Sequence, residues 1–199
     1  ELLRYLSDGQ RTIAAISPSA AATRAVVALV EGTLQELPSD GKMLLRAIRN
    51  MGTDGTKPGR VIRLVSRELV DSQNPDWHAL PKTTEVQSVM YDPQDEGIFY
   101  VYPPSNGNGH IQINYAINPP QLTTVDDTLT VTDIYQTPLF DYTMWRAHMK
   151  DSEMSSPQMV PQYFDAFRLF MQVQDAGEKE SSPNQELTPR NLNIIGSAQ

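Results

Sequence analysis

The pattern that most constrains the fold is a two-residue alternation over residues 111–117, where large apolar side chains alternate with Gln112, Asn114 and Ala116. The sequence there is IQINYAI, and its one-sided apolar positions are Ile111, Ile113, Tyr115 and Ile117. Successive side chains of a β-strand point to opposite faces of the sheet, so this two-residue period predicts a strand with one face buried. The chain is therefore expected to contain a sheet that packs against another layer.

A second β-rich run, Ile98–Tyr102, precedes this strand, and the segment Pro103–His110, with the sequence PPSNGNGH, separates the two. Proline cannot donate a hydrogen bond to a β-ladder, and glycine and asparagine favour turns. We therefore predict that the two strands form an antiparallel hairpin closed by this segment. Seven of the 15 prolines lie between Pro75 and Pro120, where they are expected to end strands and protect sheet edges.

Segments in the first third of the chain also have strand character. Val26–Val30 and Thr33–Leu37 are predicted strands joined by a tight turn at Glu31-Gly32. Val61–Val70 is a predicted strand that charged residues interrupt. Met43–Arg49 fits either a helix or a strand.

Three segments are predicted to be helical. Glu1–Ile16 should end at Pro18, and a second helix should start near Asp133 as its N-cap. A third should start with Ser156 as N-cap and stop at Gly177. The short link between the last two predicts an antiparallel pair. The apolar positions of the first helix are Leu2, Leu6, Ile13 and Ile16, and those of the second are Leu139, Tyr142, Trp145 and Met149.

These elements predict an α+β fold. The N-terminal helix and the C-terminal antiparallel helix pair form a small bundle, and an antiparallel β-sandwich-like lobe lies between them. We assign residues 1–20 and 128–177 to the helical lobe and residues 21–127 to the β-rich lobe. Residues 178–199 hold too few strongly apolar side chains to order themselves and are predicted to be an extended arm that docks on a partner.

Charge and composition exclude several classes of protein. The net charge is −8, which argues against a sequence-tolerant DNA-binding protein, since such binding depends on neutralising phosphates. Residues 1–70 hold 10 basic and 7 acidic side chains, whereas residues 71–199 hold 6 and 17. This asymmetry fits either ordinary solvated faces or complementary faces between copies of the chain. The absence of cysteine excludes disulfides and thiolate sites, and no apolar run approaches the roughly 20 residues of a membrane span.

No pattern of catalytic, cofactor-binding or metal-binding residues stands out. His78, His110 and His148 lack the spacing of a helical zinc pair, and Pro58 after Lys57 departs from a phosphate-binding loop. The carboxylate neighbours are Asp95 with Glu96 and Asp126 with Asp127, and they fit solvated turns better than a glycosidase pair, which faces across a cleft. We therefore predict no enzyme activity, cofactor or metal. Two tryptophans remain, and we expect core packing for Trp145 and leave binding open for Trp77.

Several stretches in a fixed order resemble the adaptor proteins of short-tailed bacteriophages, also called head-to-tail connector or tail tubular A-type proteins. These stretches are ELLRYLSDGQRTI, RNMGTDG, SQNPDWHAL, YDPQDEGIFYVYPP, INYAINPPQL, FDYTMWRAHMKDSE and YFDAF. The resemblance covers roughly Glu1 to Gly177. It implies a dodecameric homo-oligomeric ring in the virion, assembled in the host cytoplasm, that joins the portal protein to the tail nozzle protein. It further implies that double-stranded DNA passes through the ring without specific binding and that the protein makes no membrane contact. A contact with tail fibres stays open.

This resemblance, with the exposure and charge expected from sequence, suggests three sets of contact residues. The predicted portal-binding residues are Glu180, Pro183, Leu187, Arg190, Leu192, Ile194, Ile195, Arg146 and Arg168. The predicted nozzle-binding residues are Trp77, His78, Ser105, Asn106, Asn108 and His110. The predicted intersubunit residues are Arg60, Arg63, Arg67, Asp126 and Asp127.

Two other classes of function stay open at the level of sequence. A β-sandwich module could bind carbohydrate or a receptor through Trp77, Tyr100 and Tyr102. A cell-wall hydrolase would need carboxylates such as Asp95 or Asp126. Oligomeric symmetry separates the adaptor from the binding module, and turnover of peptidoglycan separates it from the hydrolase.

Overall fold

The strand with the alternating sequence, β7 (His110–Ile117), is the central strand of a three-stranded antiparallel sheet, here called sheet A. In the computed structural model, which describes residues 1–91, 96–150 and 156–181, β1 (Ala22–Ala28) and β3 (Gly41–Asn50) flank it. The side chains of Ile111, Ile113 and Tyr115 are buried. The predicted one-sided strand is therefore confirmed.

Sheet B comprises, among the described residues, four strands in the spatial order β2, β6, β5, β4. Their bounds are Glu31–Glu36 for β2, Arg63–Leu64 for β4, Ser88–Met90 for β5 and Ile98–Asn106 for β6. All pairs are antiparallel except the short β4–β5 pair. Leu44 and Ile113 of sheet A share one apolar core with Phe99 and Val101 of sheet B, so the two sheets form a β-sandwich.

The predicted hairpin of β6 and β7 is wrong, because these consecutive strands lie in different sheets. β6 pairs with β2 and β5, and the turn Gly107–Gly109 carries the chain from one layer to the other. β6 also continues through Pro103 and Pro104, where the sequence predicts a turn. The prolines fit because the β2–β6 ladder has a bulge there and the Pro104 carbonyl accepts a hydrogen bond from the Thr83 amide at 2.8 Å.

Two further strand predictions need correction. β1 and β2 also belong to different sheets, and they are connected at Leu29 and Val30 instead of at Glu31-Gly32. The predicted strand Val61–Val70 stops at Leu64, because α2 (Arg67–Gln73) follows. Charged side chains one helical turn apart, Arg67 and Asp71, pair at 3.5 Å and stabilise this helix. The segment that fitted either structure, Met43–Arg49, is part of strand β3.

A second apolar core joins α1 (Leu2–Ile16), α3 (Gln136–His148) and α4 (Val160–Ser181). Its buried residues are Ile13, Ala20, Val131, Tyr135, Leu139, Tyr142, Phe167 and Met171. The Tyr135 ring meets Phe170 near the start of α3, whereas the His148 ring stacks on Tyr163 at its end. α3 and α4 are therefore antiparallel, as predicted, and the α+β fold class is confirmed.

The helix boundaries differ from those predicted. Asp133 begins a short 3₁₀ turn, and α3 starts at Gln136. Ser156 belongs to a turn in which its carbonyl accepts a hydrogen bond from the Met159 amide at 2.9 Å, so α4 starts later, at Val160. Gly177 does not stop α4, which continues to Ser181. A side chain at Gly177 would meet open space, so the helix has no steric reason to end there.

Of the predicted apolar stripe of α1, Ile13 is completely buried and Leu6 packs against the helical core, and polar side chains also fix this helix. Leu2 and Ile16 are 59% and 42% exposed, whereas Ser7 and Gln10 are buried. Ser7 Oγ accepts a hydrogen bond from the Leu122 amide at 2.9 Å, and Gln10 Oε1 accepts one from the Thr130 amide at 2.7 Å. These bonds attach the segment after β7 to α1 and thereby connect the sandwich to the helices.

Candidate interaction surfaces

Trp77, a predicted nozzle-binding residue, is completely buried and packs against Tyr100 and Tyr102 of β6. Its indole Nε1 donates a hydrogen bond to Asp71 Oδ1 at 2.7 Å, and its ring meets Tyr100 edge-on. The predicted exposure of Trp77 is therefore wrong, because the indole packs inside the molecule. His78, stacked on Trp77 with 3.7 Å between ring centroids, is exposed, and its Nδ1 lies 2.8 Å from Thr33 Oγ1.

The turn between β6 and β7 presents few of its predicted contact residues. Ser105 is completely buried, and its Oγ accepts a hydrogen bond from the Gly107 amide at 3.0 Å. Asn106 is half-buried, and its Oδ1 accepts a hydrogen bond from the Asn108 amide at 3.0 Å. His110 is half-buried, and its Nδ1 has no hydrogen-bond partner among the described residues. The predicted exposure of Ser105 is wrong, and the turn presents Asn108.

The three predicted intersubunit arginines are all exposed, but they differ in what they contact. Arg67 pairs with Asp71 and lies 4.6 Å from the centroid of the Tyr100 ring. Arg60 and Arg63 form no salt bridge within the part of the chain that the structure describes. Arg60 and Arg63 are therefore available to a partner's carboxylates, whereas Arg67 already contacts Asp71 and Tyr100 of its own chain.

In the acidic loop after β7, one carboxylate is hydrogen-bonded to the loop backbone and the other is exposed. The amides of Thr124 and Thr123 donate hydrogen bonds to Asp127, and they hold the pKa of Asp127 well below its ordinary value. Asp126 is exposed beside Val125, whose side chain is 85% exposed. The loop therefore presents an apolar residue and a carboxylate at its tip, while Asp127 holds the loop in shape.

Of the predicted portal-binding residues, Arg146 and Arg168 have described side chains. Arg146 is half-buried, and its guanidinium lies 5.6 Å from the centroid of the Tyr5 ring. Arg168 is exposed and lies 3.4 Å from Asp165 Oδ1. Glu180 lies in α4, but its side chain is outside the described set. The rest of this set is also outside the described residues: Pro183, Leu187, Arg190, Leu192, Ile194 and Ile195.

The sequence analysis missed an apolar groove of about 260 Å³ beside α4. It is lined by Ile16, Phe164, Phe167, Arg168, Met171, Gln172 and Asp175. Ile16 was predicted to lie on the buried apolar side of α1, but it is partly exposed at this groove. The sequence feature that could have indicated this groove is in α4, because the apolar residues of this helix occupy more than one of its faces. Leu169 and Val173 are 64% and 63% exposed, in addition to the buried Phe167 and Met171.

The described residues contain no group of three histidine, aspartate or glutamate side chains arranged to hold a metal ion. The segment around Lys57, residues 52–59, is a glycine-rich turn, in which Asp54 Oδ1 accepts a hydrogen bond from the Thr56 amide at 3.1 Å and Gly52 and Gly55 have φ of 72°. Glu96 lies 4.0 Å from Lys42, and Asp95 is outside the described residues. None of the described helices is both long and apolar enough to cross a membrane.

Comparison with known proteins identifies one family. A family model described as SU10 adaptor protein matches residues 1–187. No curated protein matches the chain. The family match confirms the resemblance to phage adaptor proteins predicted from sequence.

Proposed function

The chain belongs to the SU10 adaptor protein family, and we propose that its copies form the virion adaptor ring between the capsid portal and the tail nozzle. The ring is a dodecamer that encloses the DNA exit channel and is assembled in the host cytoplasm. The observation that carries the proposal is the family match over residues 1–187. This role is structural and requires no catalytic residue, cofactor or metal.

A ring of identical subunits needs two different faces that fit one another. Arg60 and Arg63 are exposed and form no salt bridge among the described residues, and the loop tip at Val125 and Asp126 offers an exposed apolar side chain and an exposed carboxylate. We propose that the loop tip of one subunit meets these arginines on its neighbour. Arg67 and Asp127 support their own chain and contribute by holding the two surfaces in shape.

The portal contact is proposed for the helical lobe, residues 1–20 and 128–177, and for the arm, residues 178–199. The groove beside α4 provides an apolar seat with Arg168 at its rim. The arm carries Leu187, Leu192, Ile194 and Ile195, whose apolar side chains would gain from burial against a partner. Arg146, half-buried beside Tyr5, is a further proposed anchor.

The nozzle contact is proposed for the β-rich lobe, residues 21–127, through His78, Asn106, Asn108 and His110. Asn108 stands at the tip of the β6–β7 turn and is exposed. The channel role is supported by the net charge of −8, because a net negative chain repels the phosphates of passing DNA.

Electron microscopy of the full chain mixed with its portal protein tests this function. We expect a twelve-fold ring on one face of each portal particle, and a chain that is mainly monomeric without portal. A chain truncated after Ser181 keeps all of α4 and should fail to decorate portals. A matched full-length variant with Asn193→Ala should decorate them normally. Portals that stay bare with the unchanged chain would contradict the adaptor function, and normal decoration by the truncated chain would contradict the role of the arm.

No specific observation favours the other two functions. A carbohydrate-binding module would use exposed aromatic rings, but Trp77 is buried and Tyr100 is partly covered by Trp77 and Arg67. A hydrolase would need two carboxylates facing each other across a cleft, and Asp126 stands at the tip of an exposed loop.

A further inference from the structure

The outer face of sheet A, turned away from the sandwich core, carries three arginines in two neighbouring cross-strand rows. Read from β1 across β7 to β3, the rows are Arg24–Asn114–Arg46 and Val26–Gln112–Arg49. We call these six residues the arginine face. Arg24 and Arg46 are exposed, and the half-buried Arg49 donates a hydrogen bond from Nε to Gln112 Oε1 at 2.9 Å.

Irregular pairing of β3 puts two arginines on the same face. In an unbroken strand, residues three apart point to opposite faces. The register of β3 shifts between Ala47 and Arg49, so Ala47 is buried in the core while Arg46 and Arg49 both pair with outward-facing residues of β7. β-Bulges redirect side chains in this way and are frequent beside functional sites.

The three arginines form no salt bridge among the described residues, although lysines elsewhere are paired. Lys42 pairs with Glu96 and Lys150 with Glu1. Arg24 and Arg46 are two strand spacings apart, which is about 10 Å. Like charges so placed repel each other, so an anionic partner would stabilise the face.

The same face ends at an open strand edge. The Leu29 amide donates a hydrogen bond to the Gly109 carbonyl at 2.9 Å, and bonded positions alternate along an antiparallel ladder. The amides of Arg24, Val26 and Ala28 therefore point away from β7. No described residue hydrogen-bonds to them.

The opposite edge of sheet A is protected. The Asn50 amide bonds to the Arg60 carbonyl at 2.8 Å, and the Ile62 amide bonds to the Ile48 carbonyl at 3.2 Å. β3 is also interrupted by three register shifts, a common protection of edges. β1 has seven in-register pairs, no proline and one charged residue, so it lacks each of these protections.

We infer that the arginine face and the β1 edge are an interface that receives an acidic segment from a second copy of this chain. The inference rests on the proposed ring, and it names the surface on which one subunit holds the next. Charge complementarity identifies the occupant, because residues 71–199 carry 17 acidic and 6 basic side chains. An extended segment would pair with the free amides of β1 while its outward carboxylates meet Arg24. Arg46, on the far strand β3, would receive a carboxylate from the part of the second copy that lies over the face.

Double-stranded DNA fits this surface less well than a second copy. Phosphates could neutralise the arginines, but a nucleic-acid backbone cannot add as a strand to the β1 edge. Burial of the arginine face between subunits would also keep these cations away from DNA in the channel.

A photocrosslinking amino acid at Val26, on the edge strand β1 of the face, tests the inference in portal–adaptor rings. Rings are made from unlabelled chain carrying the crosslinker and ¹⁵N-labelled chain without it, so a crosslink between copies has mixed isotopes. We expect a mixed-isotope crosslink to a peptide within residues 71–199. Rings that give crosslinks to portal, to residues 1–70, or none, overturn the inference and leave the adaptor function standing. Failure of the unchanged chain to form rings overturns both.

Charge reversal gives a second, independent measurement. The variant with Arg24→Glu and Arg46→Glu should need about tenfold more protein to complete rings on portals, and the defect should shrink at high salt. Lys82→Glu, an exposed charge reversal outside all proposed contact sets, is the control and should assemble normally. Circular dichroism shows whether each variant is folded. The inference is overturned if the unchanged chain, the double variant and the control variant assemble equally well. It is also overturned if the unchanged chain and the control bind DNA and the double variant does not.

Discussion

The side chain of Asn50 pairs with the backbone of Val86 in both directions. Nδ2 donates a hydrogen bond to the Val86 carbonyl at 2.8 Å, and Oδ1 accepts one from the Val86 amide at 2.9 Å. Asn50 is the last residue of β3 in sheet A, and Val86 lies just before β5 of sheet B. Both residues are buried, so this pair links the two sheets and satisfies backbone groups that water cannot reach.

Replacement of Asn50 by leucine should destabilise the fold by about 2–4 kcal/mol, because it leaves both polar groups of Val86 unpaired in the core. The free energy of unfolding in urea measures this loss. Asn108→Leu, at the exposed turn, is the matched control and should change it by less than about 0.5 kcal/mol. Equal effects of the two substitutions would contradict the structural role of Asn50.

Trp77 should contribute to stability and not to direct binding. Trp77→Phe removes the hydrogen bond to Asp71 and should cost about 1–2 kcal/mol, whereas Trp77→Ala should cost about 3–5 kcal/mol. Urea unfolding measures both losses, and Trp77→Phe should still decorate portals and bind the nozzle. A nozzle-binding defect in a stably folded Trp77→Phe variant would show that the indole reaches the partner after all.

Replacement of two glycines by alanine should change the stability of the fold in opposite directions. A side chain at Gly109 would collide with the Thr84 carbonyl oxygen, so Gly109→Ala should destabilise the fold by about 1–3 kcal/mol. Gly177 is an exposed position of α4 where a side chain meets open space, so Gly177→Ala should stabilise it by up to about 1 kcal/mol. Thermal unfolding of both variants distinguishes the signs. Destabilisation by Gly177→Ala would indicate that α4 ends there.

The depressed pKa of Asp127 makes its loop sensitive to acid. A carboxylate whose pKa is lower in the folded than in the unfolded chain stabilises the fold above its unfolded pKa, and this contribution is lost as the pH falls through the folded value. Asp127→Asn should therefore lower Tm at pH 7, and the difference from the unchanged chain should shrink below about pH 4. Asp126→Asn, at the loop tip, is the control. A difference that persists at low pH would contradict the role of the ionised carboxylate.

The loop tip should matter for assembly and not for folding. Asp126→Arg reverses the charge that is proposed to meet Arg60 and Arg63, so ring completion on portals should weaken about tenfold at low salt. Its Tm should stay unchanged because the residue is exposed. Glu36→Arg, at the exposed end of β2, is a matched charge reversal. Similar losses for both variants would indicate a general charge effect instead of a specific contact.

Predictions from sequence succeeded for individual segments and failed for their partners and their exposure. The helical spacing of Leu139 and Tyr142 correctly predicted buried positions of α3. The loop composition around Trp77 suggested exposure, but Asp71 and Tyr100, brought together by the fold, enclose the ring. Exposure depends on neighbours that are distant in sequence, which local composition does not describe.

The sequence by itself determined which faces of the elements are apolar, because a period of two or of 3.6 residues places side chains relative to their own backbone. It thus identified β7 and the antiparallel helix pair. Only the tertiary structure decided that β6 and β7 belong to different sheets, since backbone hydrogen bonds carry no side-chain identity and many pairings satisfy one pattern. The bulges that align Arg46 with Arg49, and the groove beside α4, follow from that pairing and packing and were therefore not visible in the sequence.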